Sequence, residues 1–91
     1  MLVIHVSSRF KRSYKKLPRA LKEDFAKHIE IFKTHPFHPT HRTHKLKGSL
    51  KDYYAFSLRN GYRVLFDFIN NNTVILVNVG SHDDYKKWGR K

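Results

Sequence analysis

Apolar positions divide the chain into one short run, two periodic stretches and three longer runs. Leu2, Val3, Ile4 and Val6 form a cluster too short for a membrane span or a signal-peptide core, so it reads as a first β-strand. Ser7 and Ser8 follow as N-cap candidates, residues whose hydroxyls satisfy the amides left unpaired by a first helical turn. Phe10, Tyr14 and Leu17 then recur at i, i+4, i+7, one face of a helix, and Lys11, Arg12, Lys15 and Lys16 occupy the opposite face. Pro18 interrupts the pattern and suits the first turn of a second helix, where its fixed φ and missing N–H cost nothing. Leu21, Phe25, Ile29 and Phe32 make the second apolar stripe, which stops before Pro36 and reads as core.

Residues 36–43 form a loop containing proline and histidine, and three strands follow. Tyr53–Arg59 is rich in aromatic and apolar residues, Asn60–Gly61 is a two-residue hairpin turn, and Tyr62–Ile69 is the return strand. Asn70, Asn71 and Asn72 turn the chain again. Thr73–Val79 is almost continuously apolar, which predicts a central strand covered on both faces, and Gly80 ends it. The tail from Ser81 adds a helical turn or two. The predicted fold class is α+β in the order β-α-α-β-β-β, a helical pair packed on one face of a mainly antiparallel sheet with a short C-terminal helical tail. The first strand is expected beside a C-terminal strand, and residues 1–91 are expected to form a single domain.

Charge changes the picture most. Nineteen Lys and Arg against seven Asp and Glu give +12, with seven histidines in addition. Such a field concentrates polyanions and acidic proteins at the surface. The absence of cysteine excludes disulfides, thiolate metal sites and a thiol nucleophile, and suits a reducing cytoplasmic setting. No Gly-rich phosphate loop, Walker lysine or HExxH pattern is present, and only seven carboxylates exist, with Glu23–Asp24 and Asp83–Asp84 as the adjacent pairs, so a two-metal nuclease is not expected. His35, His38, His41 and His44 recur at every third residue, one face of a polyproline II segment. Neighbours in such a row stand roughly 9 Å apart, too far for four ligands to close on one zinc. The row is therefore expected to add titratable positive charge, with no metal or cofactor.

His44–Gly48 (HKLKG), Tyr53–Phe68 (YYAFSLRNGYRVLFDF) and Val77–Tyr85 (VNVGSHDDY), in this order and spacing, resemble the RelE/ParE toxin superfamily, and the two-helix first half extends the resemblance over nearly the whole chain. The resemblance implies a compact fold wrapped by an antitoxin and, in the RNase branch, cleavage of mRNA in the ribosomal A site. RelE-like members carry strand lysines where this chain has Ala55 and Ser57, and an arginine where it has His82; Arg63 matches their strand arginine. YafQ-like members have histidines matching His44 and His82, together with a histidine near Ser57 and an aspartate near Gly61 that this chain lacks.

Metal-free RNA cleavage needs a base for the 2′-OH, cations for the crowded phosphate and an acid for the leaving 5′-oxygen. Histidine, with an ordinary pKa near 6.5, suits both proton transfers, and the planar fork of arginine suits the phosphate. The expected catalytic residues are His82, beyond a strand-ending glycine; Arg63, on a strand as phosphate clamp; His44, opening the basic HKLKGSLK stretch; and Tyr85, as a stacking or proton-holding group. Lys45, Lys47, Lys51 and Arg59 are expected to position RNA. The expected function is a ribosome-dependent, metal-independent mRNA endoribonuclease, the toxin of a type II pair, with mRNA, the ribosome and an acidic antitoxin as partners and no membrane. Two alternatives remain: a ParE-like inhibitor of DNA gyrase, and a catalytically degenerate nucleic-acid-binding member.

Overall fold

A computed structural model of the chain describes residues 1–88; the last three residues of the tail read from the sequence lie outside it. Among the described residues five strands and three helices follow in the order β1 (Val3–Val6), α1 (Ser8–Lys15), α2 (Arg19–Phe32), β2 (His44–Lys45), β3 (Tyr54–Ser57), β4 (Arg63–Asn70), β5 (Thr73–Gly80) and α3 (His82–Trp88). The sheet order is β1-β5-β4-β3-β2. β1 joins parallel to β5, as the helical crossover requires, and every other pair is antiparallel.

Local chemistry sets these boundaries. Ser7 caps α1: its hydroxyl accepts from the Phe10 amide at 3.0 Å and donates to the Val77 carbonyl at 2.7 Å, so the cap also ties the helix to β5. Pro18 is the cap residue of α2, one position before the first turn that the sequence suggested. Tyr62 N–H closes onto Arg59 O at 3.3 Å around Asn60 (φ 58°) and Gly61 (φ 75°), the two left-handed residues that an Asn-Gly hairpin turn supplies cheaply. β2 was not foreseen, because two residues are too few to show alternation.

The main core lies between the helical pair and one face of the sheet. Phe32, Phe56, Phe66, Val64, Val74 and Leu76 are fully buried there, and the Phe32 ring packs on Phe56 at 4.9 Å and Phe66 at 5.1 Å. Leu17 is buried although it lies beyond the end of α1. On the opposite face the buried apolar side chains among the described residues are Leu46, Ala55 and Leu65, with Tyr53, Val77, Tyr85 and Trp88 packed around them. β5 is therefore covered on both faces only towards its C-terminal end, where α3 folds back; Ile75 stays half-buried, which corrects the expectation of a fully sandwiched strand.

The histidine loop also departs from expectation. Pro39–His41 form a 3-10 turn, and His41 is fully buried against the rings of Phe32 and Phe56. Its Nδ1 meets His28 Nδ1 at 2.7 Å, a hydrogen bond that needs one ring deprotonated. Burial, with the neighbouring His28 and His38 adding repulsion, lowers its pKa from 6.5 to about 4. His41 is thus a neutral core residue and contributes no surface charge. His35, His38 and His44 remain exposed.

Along the free edge of β1, α1 and α2 leave an apolar groove of about 450 Å³. Ile4, Phe10, Phe25 and Ile29 line it and Lys11, Lys15 and Lys33 stand at its rim, which is why Phe25 and Ile29 of the second stripe are only half-buried. No helix among the described residues is long and apolar enough to cross a membrane.

Candidate functional site

Three of the four expected catalytic side chains meet on the sheet face away from the helical pair. Arg63 opens β4, opposite Ser57 on β3 and Gly80 on β5. Its guanidinium lies 4.5 Å from the centre of the Tyr85 ring, a cation–π contact that orients the fork while leaving its other donors available. The His82 ring is stacked 6.4 Å from that of Tyr85, and Trp88 closes on the far side of Tyr85 at 5.7 Å. Arginine, histidine and phenol thus stand side by side at the edge of a half-buried aromatic patch, with His82 exposed and Arg63 and Tyr85 half-buried.

α3 carries two of the three, and what places it is a reciprocal cap that the sequence reading overlooked. The Ser81 hydroxyl accepts from the Asp84 amide at 3.2 Å, and the Asp84 carboxylate accepts from the Ser81 amide and hydroxyl at 3.0 Å each. This is a capping box, readable in principle from Ser81 and Asp84 three residues apart. Asp83 and Asp84 in the first turn and Lys86 and Lys87 in the last complement the helix dipole. The cap needs Gly80: a Cβ there would stand 2.8 Å from Asp84 Cβ. On the other side, the hairpin turn supports the helix start, with the position a Cβ would take on Gly61 lying 3.8 Å from His82 Cβ. A bulge between Leu65 and Phe66 of β4, which leaves Val77 as the extra residue on β5, shifts the register just before the strand reaches Gly80.

His44 is not in this cluster. It pairs with Ala55, and Ala55 with Leu65, so His44 shares the face of Arg63, but two strands away and two residues along. From strand spacing and rise the two backbones are roughly 12 Å apart. His44 Nδ1 contacts the Arg42 carbonyl at 2.9 Å, which turns the ring on the sheet edge. A scissile phosphate at Arg63 leaves His44 to act on a neighbouring part of the strand.

The four residues expected to position RNA separate. Lys47 and Lys51 are exposed at either end of the 3-10 turn Gly48–Leu50. Lys45 lies with its ammonium 5.9 Å over the Tyr54 ring, and Tyr54 packs into the helical face of the sheet. Arg59 starts the hairpin turn, with its amide donating to Asp24 Oδ2 at 2.9 Å, and lines a separate cavity facing α2. Among the described residues no three His, Asp or Glu side chains are grouped so as to hold a metal ion.

The comparisons with known proteins agree with this architecture. A search of the curated proteins finds no match. The fold is similar to that of the RelB–RelE antitoxin–toxin complex from Methanococcus jannaschii (TM-score 0.74, 19% identity, covering 92% of this chain and 96% of that one). It is also similar to a metal-bound toxin from Helicobacter pylori (TM-score 0.71, 28% identity, 92% and 98%) and to YafQ from E. coli strain BL21(DE3) (TM-score 0.68, 16% identity, 93% and 98%). The family model described as the bacterial toxin of the type II toxin–antitoxin system, YafQ, matches residues 2–87. With nearly its full length matched, the chain belongs to the YafQ family of type II toxin–antitoxin toxins.

Proposed function

We propose that this toxin is a metal-independent endoribonuclease that cuts mRNA in the ribosomal A site. The observation that carries the reading is the convergence of Arg63, His82 and Tyr85 at one end of the sheet. Cleavage by the substrate's own 2′-OH needs a phosphate clamp and proton carriers, and these three side chains supply both without a metal. Arg63 takes the phosphate oxygens, His82 moves a proton at the attacking or leaving oxygen, and Tyr85 holds the arginine and offers its ring or hydroxyl to the adjacent nucleotide. His44 serves the same strand from the sheet edge, and Lys47 and Lys51 hold its phosphates in register. Toeprinting of mRNA on programmed ribosomes is expected to show cuts that depend on the toxin. Those cuts should persist after the toxin has been treated with EDTA and exchanged into magnesium buffer for the ribosome. Stoichiometric zinc in tag-free toxin, with cleavage lost on its removal, overturns the metal-free mechanism.

The partner that silences it is an acidic antitoxin. The +12 charge and the lysine-rimmed apolar groove beside β1 both favour an acidic amphipathic segment that folds onto the toxin. The two proteins are expected to co-purify, and K11E/K15E, which reverses two charges on the rim without touching its apolar floor, should weaken the complex. Unchanged affinity in that variant places the antitoxin on another surface.

A further inference from the structure

The structure carries a second cluster of cations outside the Arg63–His82–Tyr85 site. β2 pairs only with Tyr54 and Ala55, so no strand flanks β3 beyond that point on its outer side among the described residues. Instead α2 and the loop before β2 enclose a cavity of about 290 Å³, lined by Asp24, His28, Thr40, Arg42, Ser57 and Arg59. We propose that this cavity is a second phosphate subsite for the RNA strand, with Arg42 and Arg59 as its cations. The inference rests on the ribonuclease reading and extends it by one nucleotide step.

Both arginines are exposed, and their backbones are held in place. Arg42 adopts a left-handed conformation (φ 52°), with its amide donating to Pro39 O at 3.1 Å, directly after the buried His41. Such a conformation is uncommon for a residue with a long side chain. Arg59 is fixed by the hydrogen bond that its backbone N–H donates to Asp24 Oδ2. That carboxylate also lies 3.6 Å from His28 Nε2, and among the described residues neither guanidinium forms an ion pair. Arg42, Arg59 and Asp24 sum to +1, the complement of one phosphodiester. Guanidinium forks match phosphate oxygens in pairs.

Position favours RNA as the ligand. Ser57 is the direct partner of Arg63 across β3–β4. Their Cα atoms are therefore about 4.5–5.5 Å apart. A strand whose scissile phosphate sits on Arg63 reaches this cavity by crossing a single β-strand.

The test uses a fluorescein-labelled 2′-O-methyl RNA octamer, which has no 2′-OH to attack, and anisotropy titrations over a range of salt. Each phosphate contact on a single strand contributes about 0.7 to the slope of log K against log salt. R42N/R59A is expected to lose about 0.7 of slope and about tenfold or more in affinity, asparagine being chosen because it tolerates the left-handed backbone. Arg19→Ala, at the 93% exposed start of α2, is the control for a charge removed elsewhere. Thr40→Asp, which leaves both arginines in place and adds a carboxylate to the cavity lining away from Arg63, should weaken binding as well; circular dichroism reports the folding of every variant. If R42N/R59A and Thr40→Asp match Arg19→Ala while the wild type binds with a steep slope, the subsite is overturned and the ribonuclease reading stands. If the wild type does not bind the octamer, the subsite falls, and the ribonuclease reading is decided by the toeprinting on programmed ribosomes.

Discussion

His82→Ala and Arg63→Ala are each expected to abolish growth inhibition while leaving the protein folded and bound to its antitoxin. A general acid or base contributes about 10²–10⁴-fold to a rate. A preorganised cation at the developing charge contributes about 10²–10³-fold. Neither side chain fills the core: His82 is exposed, and Arg63 lies on the ring of Tyr85, a contact worth about 0.5–1 kcal/mol at such a site. Loss of function should therefore appear in mRNA cleavage on programmed ribosomes and not in circular dichroism. Tyr85→Ala and His44→Ala should weaken cleavage less, Tyr85 because it acts partly through Arg63, His44 because it stands strands away. His38→Ala, on the exposed loop, should cut normally. Folded His82→Ala cutting at the wild-type rate removes His82 from the mechanism. If Arg63→Ala also cuts normally, the site lies elsewhere; and if the wild type cuts nothing, inhibition of DNA gyrase becomes the reading to test.

Acid should destabilise the fold through His41. An unfolded chain binds a proton at this residue near pH 6.5, whereas the folded chain resists it until about 4. The native state then holds fewer protons than the unfolded state throughout that window. The stabilising contribution is complete above pH 6.5, shrinks as pH falls, and is exhausted near pH 4. The shift corresponds to about 3 kcal/mol, a large share of the 5–15 kcal/mol that holds a small domain together. Thermal melts between pH 7.5 and 4 should show a fall in Tm of about 10–20 °C in the wild type. His41→Phe, placed among Phe32 and Phe56, should lose much of that fall, although it gives up the bond to His28. Parallel melting curves for the two proteins, or an NMR titration placing His41 at an ordinary pKa, would falsify this account.

Much of the architecture could be read along the chain because it rests on local rules. Periodicity located both helices, Asn60–Gly61 marked the hairpin, and the apolar run from Thr73 marked an inner strand. Each depends on residues within a few positions of one another, where backbone sterics and side-chain direction act directly. The residue types at Arg63, His82 and Tyr85 likewise announced phosphate and proton chemistry before any geometry was known. Other features required tertiary contacts. His41 looked like one member of an evenly spaced polar row; only its enclosure by Phe32 and Phe56, residues distant in sequence, makes it a neutral core group. β2 exists because β3 offers it an edge, a condition invisible in two residues. Arg59 was expected to position RNA with Lys45, Lys47 and Lys51, yet the hydrogen bond from its backbone N–H to Asp24, 35 positions earlier, holds it beside α2 and Arg42. Sequence by itself determined the helices and the longer strands and which reactive side chains the chain offers, because propensity and residue type are local. Which histidine is buried, and which cations line one cavity, was decided only when the sheet brought distant segments together.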